Sequence, residues 1–304
     1  MKSANRHGHE IVEFAIPSPK AGPYSVAAGP DGALWFTEIH AGRIGRASAG
    51  GEITEFTLPT PHCGPSIIAA GGDGALWFTE FRAHRIGRIT AAGEVQEFPL
   101  PTANAGPFGI AAGPDGALWF TELLANRIGR VGREGGVSEF PLPRAGSMPS
   151  MIAAGADGAL WFTENRGNRI GRITSDGDIR EYDIPADGAG PVGIAAGPDG
   201  ALWFAEINGN RIGRITGTGE ITEYPLPTPG ARPHAIAASR DALWFTQWGA
   251  SSIGRITRDG QVAEFALPRP DSEPHGIAVA GDGSIWFAEE SGRIGRLVPG
   301  AGDR

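Results

Sequence analysis

A tryptophan–phenylalanine pair recurs along the whole chain, beginning at Trp35, Trp77, Trp119, Trp161, Trp203, Trp244 and Trp286. The interval is 42 residues, once 41, and Trp248 alone lies off this grid. Around each pair runs the same sentence: Gly-Ile-Ala-Ala-Gly-x-Asp-Gly-Ala-Leu-Trp-Phe-Thr-Glu, then Arg-Ile-Gly-Arg-Ile-Thr, then Gly-x-Ile-x-Glu-Phe-x-Leu-Pro. A period of this length marks a chain of supersecondary units, none of which buries its apolar face alone. No stretch carries helical periodicity; short β-rich runs alternate with turn residues.

Each unit reads as four strands, which in the third copy are Gly109–Ala112, Ala117–Thr121, Arg127–Val131 and Val137–Leu142. Asp115-Gly116 marks a hairpin between the first two, read as a type I′ turn because Asp-Gly accepts positive φ. Four short antiparallel strands per copy, seven times over, predict an all-β, seven-bladed propeller with four-stranded blades. A solenoid is disfavoured because no capping repeat with a polar outer face is present. The seventh copy stops after Arg293-Ile294-Gly295-Arg296-Leu297 and lacks a fourth strand. The orphan strand sits at the other end, Glu10 to Pro17, and should pair onto the last blade and close the ring without an open edge. The expectation is one domain spanning 1–304.

Composition narrows the function classes. The net charge is −8, which argues against a nucleic-acid groove or an anionic membrane as partner. Gly reaches 48 residues and Pro 25, yet eight Trp and fourteen Phe argue against disorder. Cys63 is the single cysteine, so no intrachain disulfide and no Cys-based metal site can form. Met1 to Glu10 has no apolar core of a signal peptide, and no run of 18 apolar residues occurs. A soluble, cytoplasmic protein is expected.

A repeat protein contains its own control. Residues common to all copies are scaffold: the Trp-Phe core, the Asp-Gly turns, the Arg-Ile-Gly-Arg strand. The acid after each Trp-Phe joins them, with Gln247 the exception to Glu38, Glu80, Glu122, Glu164, Glu206 and Glu289; pairing with the recurring arginines would satisfy it. A single site should lie where one or two copies break the pattern. The residue after the first-strand proline is Tyr24, Ser66, Phe108, Ser150, Val192, His234 and His275, and the residue before it is Gly22, Gly64, Gly106, Met148, Gly190, Arg232 and Glu273. Just past the repeated acid the series runs Ile39, Phe81, Leu123, Asn165, Ile207, Trp248 and Glu290. Copies six and seven depart in all three series.

These departures converge. With Asp282 and Gly283 as a two-residue turn, His275 falls opposite Glu290 on one side of the sheet. Glu273, two residues before His275, points the same way. His234 takes the matching place on the adjacent blade. Two carboxylates and water suit a hard cation, Mg²⁺ first. Histidine is a base near neutral pH. Metal and base together fit proton abstraction and elimination, or activation of water for hydrolysis. The bland alternative is that both histidines plug the channel while the Glu residues pair with Arg232. Elsewhere the signals are weaker. Cys63 beside His62 reads as a loop thiol. His7 and His9 read as a frayed terminus, and His40 and His84 as surface. Tyr24 and Phe108, at the inner mouth, could contact an aromatic ligand or fill the channel.

The Trp-Phe-Thr-Glu…Arg-Ile-Gly-Arg-Ile-Thr repeat, Ala231-Arg232-Pro233-His234-Ala235-Ile236, Glu273-Pro274-His275-Gly276-Ile277 and Ile285-Trp286-Phe287-Ala288-Glu289-Glu290 together resemble the virginiamycin B lyase (streptogramin B lyase) family over nearly the whole chain. The resemblance implies a monomeric propeller that inactivates type B streptogramin antibiotics, opening the cyclic depsipeptide at its ester by Mg²⁺-dependent elimination. It implies Glu273 and Glu290 as metal ligands, His275 as general base, and His234 and Tyr24 in contact with substrate. A metal-dependent lactone hydrolase and a non-catalytic ligand-binding propeller remain the alternatives.

Overall fold

The computed structural model describes residues 2–4 and 9–300. Seven antiparallel sheets follow one another along the chain, six of four strands and one of five. The innermost strand of each packs against that of the next, and the last against the first, so the sheets close into a ring. This is the seven-bladed propeller that the repeat predicts. In blade 1 the strands are Pro23–Ala28, Leu34–Glu38, Arg43–Ala47 and Ile53–Thr57, from the centre outwards. In blade 7 they are Pro274–Val279, Ile285–Glu289 and Arg293–Val298, completed by Glu10–Ala15 from the other end of the chain. That strand runs antiparallel to Arg293–Val298, with Phe14 opposite Ile294. A further strand, Lys2–Ala4, adds to its outer edge. Among the described residues no helix is long and apolar enough to cross a membrane.

The repeated residues explain themselves once folded. Each Trp is fully buried and stacks on the aromatic residue of the outer strand, as Trp35 does on Phe56 at 5.5 Å. In blades 1 to 5 its indole N–H donates to the turn aspartate, Trp35 Nε1 to Asp31 Oδ1 at 3.1 Å, and the other oxygen of Asp31 takes Arg46 Nε at 2.6 Å; in blade 7 Trp286 donates to Ser284 instead. One carboxylate thus ties the turn, the core ring and the third strand. The Gly of Arg-Ile-Gly-Arg is required because a Cβ on Gly45 would lie 2.0 Å from the Phe36 ring. The Thr of Trp-Phe-Thr joins neighbouring blades: Thr37 Oγ1 donates to the Ser66 carbonyl at 2.8 Å.

The first hairpin differs from expectation. Gly29 and Ala33 close a three-residue loop, Gly29 N–H donating to Ala33 O at 2.8 Å, and of Asp31 and Gly32 only the glycine has positive φ. This is a type I turn followed by a left-handed glycine rather than a type I′ turn. The extra loop residue shifts the register by one. In blade 7 Pro274, not His275, pairs with the second strand, opposite Glu289, and a bulge separates Pro274 from Ile277. The predicted His275–Glu290 register is therefore incorrect, although the two side chains still meet.

His9 also differs from a frayed end. His9 is buried, its Nδ1 accepts from Gly300 N–H at 3.0 Å, and its ring meets Phe265 edge-on at 4.5 Å. His7 lies outside the described residues.

Candidate active site

All seven first strands begin at the same mouth of the central channel, each after a residue in the left-handed region. That residue is Gly22 at φ 65°, Gly64 at 65°, Gly106 at 59°, Met148 at 51°, Gly190 at 63°, Arg232 at 50° and Glu273 at 48°. Four blades use glycine here because a Cβ is disfavoured at positive φ. Arg232 and Glu273 hold the same conformation with long side chains. Backbone strain of this kind clusters at functional sites.

The rings that follow converge on His275. Its centroid lies 4.6 Å from Tyr24 and 4.8 Å from His234, the latter perpendicular at 89°, with Trp248 at 6.4 Å. Tyr24 and His234 themselves stand 6.1 Å apart. Blades 1 and 7 can approach this closely because residue 276 is glycine: a Cβ there would lie 2.6 Å from Ser25 Cα. Blade 6 fixes the backbone of His275, Thr246 Oγ1 donating to its carbonyl at 2.7 Å. Below the rings the channel holds a cavity of about 150 Å³, lined by Ile67, Ile110, Ile194 and other inner-strand residues.

Glu290 is the charged centre. Its Oε2 lies 2.7 Å from His275 Nε2 and its Oε1 3.0 Å from His40 Nε2. The His275 hydrogen bond holds its carboxyl down to about 2, against the opposing effect of partial burial. An ionised carboxylate only accepts, so both histidines donate from Nε2. His275 Nδ1 is buried without a partner, so Nε2 is the nitrogen on the open side. Burial pushes the His234 imidazole down to about 3, the neighbouring His275 adding to the effect, so it is neutral at physiological pH. Burial, reinforced by the Glu290 charge, raises the Tyr24 phenol well above its usual range.

Glu273 is exposed beside this group, its carbonyl accepting from Glu290 N–H at 3.2 Å. A metal here finds one ionised half-buried carboxylate and one exposed carboxylate, the oxygen donor set that a hydrated hard cation takes. No cluster of three or more His, Cys, Asp or Glu with metal-holding geometry occurs among the described residues. Such a cation would therefore keep several waters, which suits Mg²⁺. Arg232 stacks on Trp248, 5.4 Å from the ring centroid, and does not neutralise either Glu. That removes the bland pairing of the glutamates with Arg232.

Tyr24, His234, His275 and Glu290 are thus brought into one cluster, with Glu273 adjoining through the backbone. His40, read as surface, is the residue missed. It is half exposed, yet it reaches across from blade 1 to blade 7 to bind Glu290. In the series Arg82, Leu124, Arg166, Asn208, Gly249, Ser291 it is the only histidine, a signal that the comparison of copies could have used. Cys63 is buried, and burial pushes its thiol up to about 12, with no reactive thiolate in prospect.

Fold and site define a seven-bladed propeller with a histidine–carboxylate centre at one mouth of its channel. Residues 9–297 match the virginiamycin B lyase family, and the chain belongs to that family. A 42-residue stretch is 57% identical to virginiamycin B lyase of Saccharopolyspora erythraea, covering 14% of each chain. A 36-residue stretch is 56% identical to that of Streptomyces coelicolor, covering 12% of each. Solved structures align along nearly the whole length. A streptogramin B lyase shares 47% identity, with 95% of this chain and 97% of the other covered and a TM-score of 0.93. A catalytically inactive variant of virginiamycin B lyase from Staphylococcus aureus, solved with quinupristin, shares 46% identity over 96% of this chain and 99% of that one, also at 0.93.

Proposed function

We propose that the chain is a lyase that linearises type B streptogramins, cyclic depsipeptides, by elimination at their ester bond with Mg²⁺ as cofactor. The observation that carries this is the 2.7 Å contact between His275 Nε2 and Glu290, set among Tyr24 and His234 where the repeat departs from its scaffold. Membership of the family and the likeness to a relative solved with quinupristin support the substrate class. The enzyme of this proposal acts as a monomer.

Elimination needs a base at the α-carbon, stabilisation of enolate-like charge, and a carboxylate that leaves from the β-carbon. With Glu290 engaged by a cation, His275 would carry its proton on Nδ1, and its Nε2 lone pair would face the mouth as the base. His234 is neutral and offers one N–H to a substrate carbonyl. Tyr24, un-ionised, presents a hydroxyl and an aromatic face to the ring of the substrate. Glu273 and Glu290 would hold Mg²⁺, which when bound would polarise the carbonyl next to the abstracted proton. Among the described residues no serine or cysteine side chain hydrogen-bonds to His275, whose Nε2 pairs with Glu290, so no activated nucleophile for a covalent hydrolytic route is in place there.

Mass spectrometry of a type B streptogramin after incubation with the protein tests the reading. Elimination gives a linear isomer of unchanged mass with a new conjugated absorbance. A product heavier by one water would make the protein a lactone hydrolase. Binding without turnover would make it a ligand-binding propeller.

A further inference from the structure

The position of Trp248 and Glu290, just past the repeated acid, carries a large apolar side chain on each of blades 1 to 3, and the first-strand position of His234 and His275 does so on blade 3. Phe108 occupies the first-strand place of His234 and His275, while Ile39, Phe81 and Leu123 occupy the place of Trp248 and Glu290. By the symmetry of the repeat they open onto the same mouth. They line a cleft of about 250 Å³, with Arg82 among the lining residues. Phe81 and Phe108 meet edge-on, 6.4 Å between centroids at 85°. Gly106 makes this packing possible, since a Cβ there would lie 2.6 Å from Leu124 and 3.1 Å from the Phe81 ring. Leu124 beside the cleft is 56% exposed, the one large hydrophobic residue so exposed among the described residues.

Ring contacts link the cleft to the candidate active site. Phe108 contacts Tyr24 at 6.2 Å, and Tyr24 contacts His275 at 4.6 Å. Its volume falls below the roughly 300–1,000 Å³ of a pocket that takes a whole ligand, which suits one side chain of a larger molecule. Two perpendicular phenyl rings offer an edge and a face, the arrangement that receives a third aromatic ring.

We propose that this cleft is the specificity subsite for an aromatic side chain of the cyclic depsipeptide whose ester lies at His275. The proposal rests on the lyase reading for its substrate. Blades 6 and 7 act on the ester, and blades 1 to 3 select the depsipeptide by its aromatic arm. Arg82 leaves room for a polar substituent at the rim.

The test compares two substrates, a type B streptogramin and a synthetic analogue with alanine in place of its aromatic side chains. Phe81→Ala should raise KM for the streptogramin roughly tenfold, with kcat nearly unchanged, and leave the analogue unaffected. Leu123→Ala should do the same more weakly, and Phe81→Leu should recover part of the loss. Calorimetric binding of intact streptogramin to His275→Ala, with and without Phe81→Ala, reads the subsite without turnover. Equal affinity in those two proteins, or equal KM shifts for both substrates, would overturn the subsite and leave the lyase reading standing. Weaker binding on Phe81→Ala, in a protein whose wild type binds but never turns over, would keep the subsite and remove the lyase. Failure of the wild type to bind streptogramin at all would overturn both.

Discussion

His275 Nε2 stands 2.7 Å from Glu290 Oε2, a contact formed across a bulge rather than through a strand pair. The carboxylate orients the ring, and Tyr24 and His234 close it from two sides. His275→Ala should therefore lower kcat by roughly 10²–10⁴-fold, the range of a lost general base. His234→Ala, which removes a neutral donor, should place a larger share of its effect on KM. Steady-state kinetics on both variants separate the roles, and purely KM effects for both would remove His275 as base.

Adjacent glutamates should behave oppositely. Glu290→Gln removes the ionised centre of the site and should abolish Mg²⁺ binding and turnover. Glu289 is fully buried behind the strand, facing Glu13 rather than the mouth. Glu289→Gln should leave turnover within a few-fold and act on stability. Calorimetric titration with Mg²⁺ alone, beside activity, distinguishes them.

Glu273 holds φ at 48°, where four other blades have glycine. Glu273→Gly should raise stability by about 1 kcal/mol, because glycine adopts this conformation without the Cβ clash. The same change should cost Mg²⁺ affinity. A higher melting temperature together with weaker Mg²⁺ binding is the expected pair of readings; a lower melting temperature would show that the strain is compensated.

A second consequence concerns alkaline pH. Burial, and then a neighbouring carboxylate, raises Glu38, Glu80, Glu122 and Glu206 to about 8, and Glu289 likewise. The recurring arginine prefers that second carboxylate, as Arg43 does Glu55 at 2.8 Å, and only in blade 4 does it grip the repeated acid directly, Arg169 to Glu164 at 2.7 Å. With a value near 8 the acid is neutral at physiological pH, its oxygens buried beside that second carboxylate. Gln247 supplies the amide equivalent, Nε2 donating to Glu264 at 2.6 Å. A carboxyl raised on folding binds its proton more tightly in the native state. Its stabilisation is complete below the unfolded value near 4.5 and is lost as pH rises through 8. Thermal melts should fall across that window. Glu122→Gln should match wild type near pH 5 and melt about 2 °C or more higher at pH 9.

His40 supplies the second hydrogen bond to Glu290. His40→Ala should slow turnover roughly fivefold, about 1 kcal/mol for one half-exposed bond. His40→Gln keeps an N–H donor and should restore most of the rate, a rescue that a merely structural role would not show.

The sequence by itself determined the blade count, the strand order and the closing partner. These follow from local rules: turn residues at even spacing, alternating burial, and one copy short of a strand at the end where a spare strand waits at the other. It also singled out His234, Glu273, His275 and Glu290, because a repeat exposes its own exceptions, while Tyr24 came from its place at the inner mouth and from the family resemblance. Only the tertiary structure decided who touches whom. A loop one residue longer than the Asp-Gly signal suggested moved the hairpin register, and the bulge after Pro274 restored the His275–Glu290 contact by another route. His40 and Glu290 lie 250 positions apart and meet only because the ring closes. The apolar cleft at Phe81 and Phe108 likewise exists only between blades. Local propensity fixes a strand and its turn; the geometry of a site shared by several blades is set by how the closed ring packs them together.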